Sequence, residues 1–248
     1  MPAPIVATAG WSLPRAEQHR FPGAGTHLER YARVLRGAEI NASFYRPIRP
    51  ALYAKWAAGV PARFRFSVKL PRTVTHERRL RDCAEPLDAF LGEVAALGPK
   101  LGCLLVQLPP SLRWDAAVAD DFLALLRARH AGPVALEPRH PTWFADAPEA
   151  QLVRHDVARV AADPARVPAA ALPGGARSLE YHRLHGSPRI YYTPYDDAYL
   201  DALAPRLRAA GRRGATVWCV FDNTASGAAL PNALGVHARL QPAPRGDA

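Results

Sequence analysis

The sequence predicts an α/β protein whose strands close into a (β/α)8 TIM-like barrel. Its length of 248 residues matches the ~250 residues that barrels of this class need. Short apolar runs alternate with stretches of helical periodicity from Ile5 to Leu240, which is typical of parallel strands joined by helical crossovers. A polar residue ends nearly every apolar run, as expected of strands that open onto one functional rim. An open doubly wound sheet is the alternative, disfavoured because no G-x-G-x-x-G follows the first strand.

The first half of the chain supplies four strand and helix units. The capping box Thr26-x-x-Glu29 starts the first helix, which we expect to stop at Gly37. Pro50 suits the first position of the second helix, and Asp115 is an N-cap for the fourth. The other predicted elements of this half are strands at 5–9, 38–41, 64–69 and 101–108 and a third helix from residue 86.

The second half continues the alternation but breaks it once. Between Pro164 and Leu179, five proline and glycine residues leave no room for a helix, so the helix after the sixth strand is predicted to be a Pro/Gly loop. Residues 241–248 are predicted to be a frayed tail. The other predicted elements are strands at 134–138, 157–163, 181–186 and 216–223 and helices at 148–155, around 200–207 and from 226–231 to 240. We therefore expect a single barrel domain over residues 1–248, with its core at about 5–240.

Composition bounds the compartment and excludes several protein classes. Mean hydropathy is −0.14 and no apolar run approaches the ~20 residues that cross a membrane, so we expect no membrane partner. The first residues lack a basic segment followed by an apolar one, which predicts a cytoplasmic protein. Three cysteines without a C-x-x-C pair predict neither a disulfide framework nor a zinc ribbon.

The formal net charge of +10 would favour polyanions by long-range attraction. Only three of the 32 basic residues are lysine, however, and these basic residues are spread along the chain rather than gathered in one stripe. An overall compositional bias is therefore favoured over a dedicated nucleic-acid surface as the source of the charge.

Polar side chains recur where the predicted strands end. Residues i and i+2 of an extended segment share a face, so Glu137 and Arg139 point the same way, as do Arg183 and His185. An arginine beside a glutamate keeps the carboxylate ionised, which suits a base or a metal ligand; the alternative is an ion pair that only neutralises the mouth. The other polar residues at strand ends are Glu39, Asn41, Lys69, Gln107, Asp163, Asp222 and Asn223.

Six sequence blocks in this order resemble the YecE-like family, also called domain of unknown function 72. They are Glu39-Ile40-Asn41-Ala42-Ser43-Phe44-Tyr45-Arg46, Phe66-Ser67-Val68-Lys69, Gln107-Leu108-Pro109-Pro110, Glu137-Pro138-Arg139-His140, Arg183-Leu184-His185-Gly186 and Phe221-Asp222-Asn223-Thr224. The resemblance spans roughly residues 5–240 and implies a TIM-like barrel, but it implies little about activity. Asp222 stands where many relatives carry asparagine, and Thr8-Ala9-Gly10-Trp11 replaces a commoner Thr-Ser-Gly-Trp.

Lys69 is unusual because the chain uses arginine almost everywhere else. A compact amine can lose its proton when it is buried and can then attack a carbonyl group. The alternative is that Lys69 pairs with Glu39 or Glu137 across the barrel.

Loop residues add weaker signals. His76 and His140 fit capping or surface groups as well as they fit ligands. The loops Gly186–Pro188 and Thr224–Gly227 follow the last two strands, where barrels often bind phosphate at a helix N-terminus. Four rim aromatics would either stack on a base or sugar or cap the barrel: Trp11, Tyr45, Trp143 and Tyr192.

The leading hypothesis is an enzyme with a polar, anion-accepting pocket at the carboxyl-terminal rim, a hydrolase or lyase for a small phosphorylated or nucleotide-like substrate. Glu137 would act as a base or ligand and His185 would transfer protons, with Lys69 and Asp222 completing the catalytic set. Lys69, Arg139 and Arg183 would hold negative charge. The remaining substrate-binding candidates are Trp11, Glu39, Asn41, Tyr45, Gln107, His140, Trp143, Asp163 and Asn223.

Two other functions stay open at this point. Metal-dependent phosphodiester cleavage, as in barrel endonucleases, is one, although no H-x-H or H-E-x-x-H spacing joins the candidate ligands Glu137, His140, Asp163, His185 and Asp222. A bound divalent metal is therefore not favoured, and no cofactor is assigned. Non-catalytic nucleic-acid binding through net charge and rim aromatics is the other.

Overall fold

The computed structural model describes residues 3–241. The tail predicted at 241–248 therefore lies, apart from Gln241, outside the described residues. The strands are β1 (Ile5–Thr8), β2 (Gly37–Ile40), β3 (Arg65–Lys69), β4 (Leu101–Gln107), β5 (Val134–Glu137), β6 (Ala158–Arg159), β7 (Ala161–Asp163), β8 (Gly174–Gly175), β9 (Leu179–Leu184) and β10 (Thr216–Phe221). The helices are α1 (His27–Val34), α2 (Ala42–Tyr45), α3 (Pro50–Ala58), α4 (Ala84–Val94), α5 (Ala116–Arg129), α6 (Asp146–Arg154), α7 (Asp197–Arg212) and α8 (Ala229–Leu240).

The strands form a mixed α/β fold with two sheets that are parallel almost throughout. One sheet has the order β1-β10-β9-β7, and the other has the order β2-β3-β4-β5-β6-β8. Only the short pairing of β6 with β8 is antiparallel among the described ladders. A single parallel bridge between Ala9 and Glu39 links the first strands of the two sheets, and the Gly10 amide donates to the Glu39 carbonyl at 2.8 Å.

The strand expected at 157–163 is broken into two pieces. Its first piece, β6, pairs with β5, and its second piece, β7, pairs with β9 in the other sheet. Val160 lies between them and still donates its amide to the Leu136 carbonyl at 2.9 Å. The chain thus passes from one sheet to the other within two consecutive strands.

Two apolar clusters correspond to the two faces of the strands. The larger cluster packs the helices against the outer face of the strands. The smaller cluster consists of alternate strand residues from both sheets, and its members are Ala7, Cys103, Leu105, Ala135, Ala158, Val160, Leu179, Tyr181, Trp218 and Val220. Six of these ten residues are alanine, cysteine or valine, and the aromatic members are Tyr181 and Trp218. A Cβ on Gly102 would lie 2.8 Å from the Trp218 ring, which explains the glycine at that position.

Local signals decide several helix starts. The Thr26 side chain accepts from the Glu29 amide and Glu29 accepts from the Thr26 amide at 2.7 Å, so the predicted capping box is present. Asp115 Oδ1 accepts from the amides of residues 117 and 118 at 3.1 and 3.2 Å, as expected of the N-cap of α5. Pro50 is the first residue of α3.

Several predicted boundaries differ from those in the structure. Gly37 opens β2 instead of closing α1, because the backbone is already extended at Leu35. The third helix begins at Ala84, ahead of Pro86, since proline is tolerated in a first turn whose amides need no helical partner. The last helix begins at Ala229, within the predicted range of 226–231, because residues 224–228 form a turn in which Gly227 has a φ of 80°.

Residues 164–178 contain the predicted loop in place of a helix. This segment holds one turn of 3-10 helix, Pro168–Ala171, and the two-residue strand β8, with no α-helix among its residues. Across the described part of the chain, no helix combines the length and the apolar character that crossing a membrane requires.

Candidate functional site

Charged side chains from five strands meet at the carboxyl ends of the parallel strands. Each occupies one of the last two positions of its strand or lies one or two residues after it, so the shared strand direction brings them to one edge. We call them the polar cluster: Glu39 from β2, Lys69 from β3, Glu137 and Arg139 from the end of β5, Arg183 and His185 from the end of β9, and Asp222 after β10.

Arg183 lies at the centre of the polar cluster and is 1% exposed. Its Nε and Nη2 atoms donate to the two carboxylate oxygens of Glu39 at 3.0 and 2.6 Å. Its Nη1 donates to Glu137 Oε2 at 2.6 Å, and Nη2 also donates to Asp222 Oδ2 at 3.0 Å. These bonds use four of the five guanidinium hydrogens. Arg183 therefore fixes three carboxylates in place and has little capacity left for an incoming anion.

The charges of the polar cluster outweigh the cost of burial for its carboxyl groups. Burial alone would raise the pKa of Glu137, but the charges of Arg183 and Arg139 and the contact with His185 hold that pKa well below its usual value. Asp222 has a lowered pKa for the same reasons. Burial opposes the charge of Arg183, yet the three carboxylates raise its pKa well above the ordinary value. Glu137, Asp222 and Arg183 are thus ionised at neutral pH.

His185 is placed to hold or to release a proton without losing a hydrogen bond. Its Nδ1 lies 3.0 Å from Asp222 Oδ2, an acceptor, so this nitrogen carries a hydrogen. Its Nε2 lies 2.9 Å from Glu137 Oε1 and 3.0 Å from Arg139 Nη2. A protonated Nε2 donates to Glu137, and a neutral Nε2 accepts from Arg139. Both protonation states therefore have a partner.

Tyr181 and Ser67 complete the buried network around Glu39. The Tyr181 hydroxyl donates to Glu39 Oε2 at 2.9 Å and lies 2.8 Å from Ser67 Oγ. Burial and the neighbouring Glu39 charge raise the pKa of Tyr181 well above its usual value, so the phenol stays neutral. Glu39 is consequently held by Arg183 from one side and by Tyr181 from the other.

Lys69 lies in the polar cluster but is not paired within it. Its side chain is 8% exposed, and its amine lies 4.0 Å from the centre of the Phe44 ring. Among the described residues, no carboxylate lies within 4.0 Å of this amine, so the pairing with Glu39 or Glu137 that the sequence left open is not found. Burial, followed by the charge of Arg183, lowers the pKa of Lys69 to about 8.

Arg139 and Tyr191 stand at the solvent side of the polar cluster. Arg139 forms an ion pair with Glu137, in which Nη2 lies 2.7 Å from Oε1, and its side chain is 13% exposed. The Tyr191 ring stands edge-on to His185 with a centroid distance of 6.0 Å, and this tyrosine is 45% exposed. Burial and the Asp222 charge raise the pKa of Tyr191. Arg139 is therefore the guanidinium of the cluster that is most open to an anion from solvent.

Three candidate site residues are placed in structural roles away from the polar cluster. Trp143 is 1% exposed and donates from Nε1 to the Leu112 carbonyl at 3.0 Å, so it belongs to the core. The Asn223 amide nitrogen donates to the Thr193 carbonyl and to Asn232, which orders the loops after β9 and β10. Asp163 accepts from the Tyr195 hydroxyl at 2.7 Å.

The remaining candidates line the rim without contacting the Arg183 network. Trp11 packs edge-on against Trp56 with a centroid distance of 5.0 Å, and Tyr45 is 72% exposed. His140 Nδ1 accepts from the Thr142 amide and caps a short 3-10 turn, as expected for a loop histidine. Gln107 donates to the neighbouring Leu108 carbonyl at 3.0 Å. Asn41 Oδ1 is buried with no hydrogen-bond partner in the described chain.

The loop predicted to bind phosphate after the last strand borders a small cavity. This cavity has a volume of about 110 Å3 and is lined by Thr8, Thr224 and Gly227 among others. Within residues 3–241, no group of three or more His, Cys, Asp or Glu side chains is arranged to hold a metal ion. The carboxylates of the polar cluster are instead engaged by Arg183.

The sequence matches a family model described as "Protein of unknown function DUF72" over residues 5–247. The chain belongs to the DUF72 family. The YecE-like resemblance of the sequence blocks is thereby confirmed.

Named DUF72 relatives agree with this assignment. The chain is 32% identical over 127 residues to the UPF0759 protein YecE of Escherichia coli K12, a match covering 51% of this chain and 46% of YecE. The chain thus spans about half the length of that curated relative. A crystal structure of a DUF72 family protein from Enterococcus faecalis V583 has a TM-score of 0.80 at 20% identity, covering 96% of this chain and 95% of that one. A second, from Thermotoga maritima MSB8, has a TM-score of 0.79 at 22% identity, covering 96% and 99%. These two likenesses establish the DUF72 fold alone.

Sequence reasoning missed three residues of this DUF72 site. Tyr181 and Ser67 each lie two positions before a residue that was singled out, so strand alternation would have found them. Tyr191 is different, because it comes from a loop and has a φ of 70°, which no sequence pattern indicates for a tyrosine.

Proposed function

We propose that the protein is an enzyme that moves a proton on a small anionic substrate at the polar cluster. Asp222 and His185 form the proton-transfer pair, Glu137 is the ionised partner of His185, and Arg139 receives the negative charge of the substrate. The observation that carries this proposal is the position of His185 Nε2, within 3.0 Å of both Glu137 Oε1 and Arg139 Nη2. A proton can leave or enter at this atom while the ring stays held by Asp222.

The free-energy cost of burying the charges of the polar cluster supports a chemical role. Removing several charges from water costs more free energy than their mutual attraction reliably returns, and apolar residues of similar volume often give equal or greater stability. An interior lined by apolar residues would be filled more favourably by one more apolar layer. The ionised layer therefore lies where chemistry is carried out, at the carboxyl ends of the strands.

The substrate class follows from the different surroundings of Arg183 and Arg139. Arg183 is occupied by carboxylates, whereas Arg139 makes one ion pair and is partly exposed. The nearby amine of Lys69 adds positive charge to the mouth in its protonated form. A phosphate or carboxylate group, as in a phosphorylated or nucleotide-like compound, is the chemistry that an exposed guanidinium recognises.

We also propose that the two sheets close into one (β/α)8 barrel, which forms a single unit. The bridge between Ala9 and Glu39 and the passage from β6 to β7 support closure on both sides. In a closed barrel the Gly10 amide is protected from hydrogen exchange by the Glu39 carbonyl. Exchange of Gly10 as fast as that of an exposed loop amide would overturn closure.

Anion binding is tested by thermal unfolding in the presence of inorganic phosphate, a sugar phosphate and a nucleoside monophosphate, with sodium chloride at matched ionic strength. A ligand at about 100 times its Kd stabilises the folded state by ~2.7 kcal/mol. We expect at least one phosphate compound to raise the Tm of the natural protein, and the Arg139→Met variant to lose this rise.

The matched control is Arg213→Met, which removes an exposed arginine on the surface away from the polar cluster. It should keep the phosphate effect. Equal phosphate effects in the Arg139 and Arg213 variants, or no effect in the natural protein, would overturn the anion site.

Nucleic-acid binding is a second candidate that one observation favours. The loops after β3 and β4 form a groove of about 340 Å3 lined by Arg79, Arg81, Arg113 and Trp114, on the same rim as the polar cluster. Arginines beside an aromatic ring suit a single-stranded backbone with stacked bases. This function predicts oligonucleotide affinity that falls steeply with salt and falls further in Arg113→Met; salt-independent or undetectable binding would remove it.

A further inference from the structure

The amine of Lys69 differs from every other basic group of the polar cluster. It is buried at the carboxyl end of β3, its contact is the face of the Phe44 ring at 4.0 Å, and no carboxylate of the described chain pairs with it. Arg183 has taken the hydrogen-bonding oxygens of Glu39 and one oxygen of Glu137, which leaves the amine without a counter-ion. An arginine at this position would carry a permanent charge, whereas a lysine can become a neutral nucleophile.

We propose that Lys69 is a catalytic nucleophile that forms an imine with the carbonyl group of an aldehyde or ketone substrate bearing an anionic group. This inference rests on the proposed function and specifies its substrate class. The unpaired, desolvated amine attacks the carbonyl carbon, and Arg139, on the same rim, holds the anionic group.

The reaction balances without an oxidant or a reductant. The lone pair of the neutral amine forms a carbon–nitrogen bond, and the carbonyl oxygen takes up a proton to give a carbinolamine. Nitrogen then loses its two protons in turn, while the hydroxyl group takes up a second proton and departs as water, so the sum is amine plus carbonyl to imine plus water. His185 supplies and accepts these protons, because both of its protonation states are hydrogen-bonded.

Charge and burial increase the fraction of neutral Lys69 amine near physiological pH. Burial and Arg183 lower the pKa of Lys69 to about 8, so about half of the amines are neutral at that pH. The titratable and charged groups that act on this amine are Arg183, Glu39, Glu137, Asp222 and His76. The carboxylates oppose the shift, but each is already bound to another group of the cluster.

The chain contains its own controls, because it has only two other lysines. Lys55 is exposed on α3. The Lys100 amine donates to the carbonyls of Val60 and Pro61, which occupies two of its three hydrogens. A reagent that traps imines therefore reports three sites in one molecule, of which only Lys69 combines burial with an unpaired amine.

The experiment uses the full-length protein with glycolaldehyde phosphate and, as the matched uncharged probe, glycolaldehyde, each with sodium cyanoborohydride. Reduction converts an imine into a stable secondary amine, which intact-mass and peptide measurements locate. We expect adduct on Lys69 at a rate roughly tenfold or more above Lys55 and Lys100 at neutral pH, because the neutral amine fraction is larger. The rate should rise with pH around a midpoint near 8.

Variants separate the imine from the anion site. Lys69→Arg keeps the positive charge but removes the amine that forms the imine. This variant should therefore lose the adduct with both probes, while labelling of Lys55 is unchanged. Arg139→Met should slow labelling by glycolaldehyde phosphate more than it slows labelling by glycolaldehyde.

Two results would overturn the proposal, and both are read in the natural protein, whose folding is not in question. One is labelling of Lys69 no faster than labelling of Lys55 with either probe; the other is a pH profile of Lys69 that matches an ordinary lysine. The anion site is judged independently by the phosphate effect on Tm, so an absent adduct with a retained, Arg139-dependent phosphate effect refutes the imine alone. An adduct with no phosphate preference supports the imine and refutes the anion site.

Discussion

Replacement of Arg183 by methionine tests whether the polar cluster is held together by one buried guanidinium. Methionine fills a similar volume but leaves Glu39 and Glu137, both 0% exposed, without their main counter-charge. Removing one partner of a buried ion pair costs about 3–5 kcal/mol. For a chain of this size, each kcal/mol lowers Tm by ~2–4 °C, so we expect a fall of about 6–20 °C at pH 7. Differential scanning calorimetry or circular dichroism measures it.

The pH dependence of this loss identifies its cause. In the natural protein the pKa of Glu137 lies below its unfolded value, so its contribution to stability is present above the unfolded pKa and is lost on acidification. In Arg183→Met we expect the pKa of Glu137 to rise, because burial is no longer offset by Arg183. Protonation of Glu137 then removes the free-energy cost of burying its unpaired charge. The difference in stability between the two proteins should therefore narrow as pH falls from 7 towards the unfolded pKa of glutamate.

The matched control is Arg213→Met, where the arginine side chain is 63% exposed and pairs with Glu180 at 2.7 Å. An exposed pair of this kind contributes at most about 1 kcal/mol. If Arg183→Met and Arg213→Met lowered Tm equally, or if the Arg183 gap stayed constant with pH, the buried-network account would be wrong.

Three further predictions concern packing, charge and capping. Gly102→Ala should destabilise the fold by about 1–3 kcal/mol, because the new Cβ would lie 2.8 Å from Trp218. The control Gly92→Ala, at an exposed position of α4, should be neutral or stabilising. Equal Tm values for the two variants would contradict this. Lys69→Met should be more stable than the natural protein at pH 7 by up to about 3 kcal/mol, because the lowered pKa of Lys69 means that its charged form destabilises the folded state. Denaturant titrations should show this advantage shrinking as pH rises from 8 towards 10.5. A stability difference that does not change with pH would refute this account. Asp115→Ala should cost about 1 kcal/mol in urea unfolding through loss of the α5 cap, and an unchanged midpoint would argue against the cap.

Local sequence pattern could predict some parts of the site and not others, and the structure shows why. Strand alternation places residues i and i+2 on one face, so Arg183 and His185 were correctly expected to share a face, and Tyr181 follows from the same rule. Trp143 shows the limit of that reasoning, because it lies in a 3-10 turn whose direction local sequence does not specify, and the turn carries its ring into the core. Tyr191 was unpredictable for a related reason, since its position over His185 depends on a left-handed backbone angle.

The sequence by itself determined the alternation of strands and helices, the caps at Thr26 and Asp115 and the loop that replaces a helix after the sixth strand, because each depends on neighbours within a few residues. Only the tertiary structure decided how the charges are paired. Glu39 and Arg183 are separated by 144 positions in the chain, and their contact depends on the order of whole strands within the sheets. That pairing engages Arg183 with carboxylates, leaves Arg139 at the mouth and leaves the amine of Lys69 without a counter-ion, because buried charges are satisfied by the partners that the fold brings within reach.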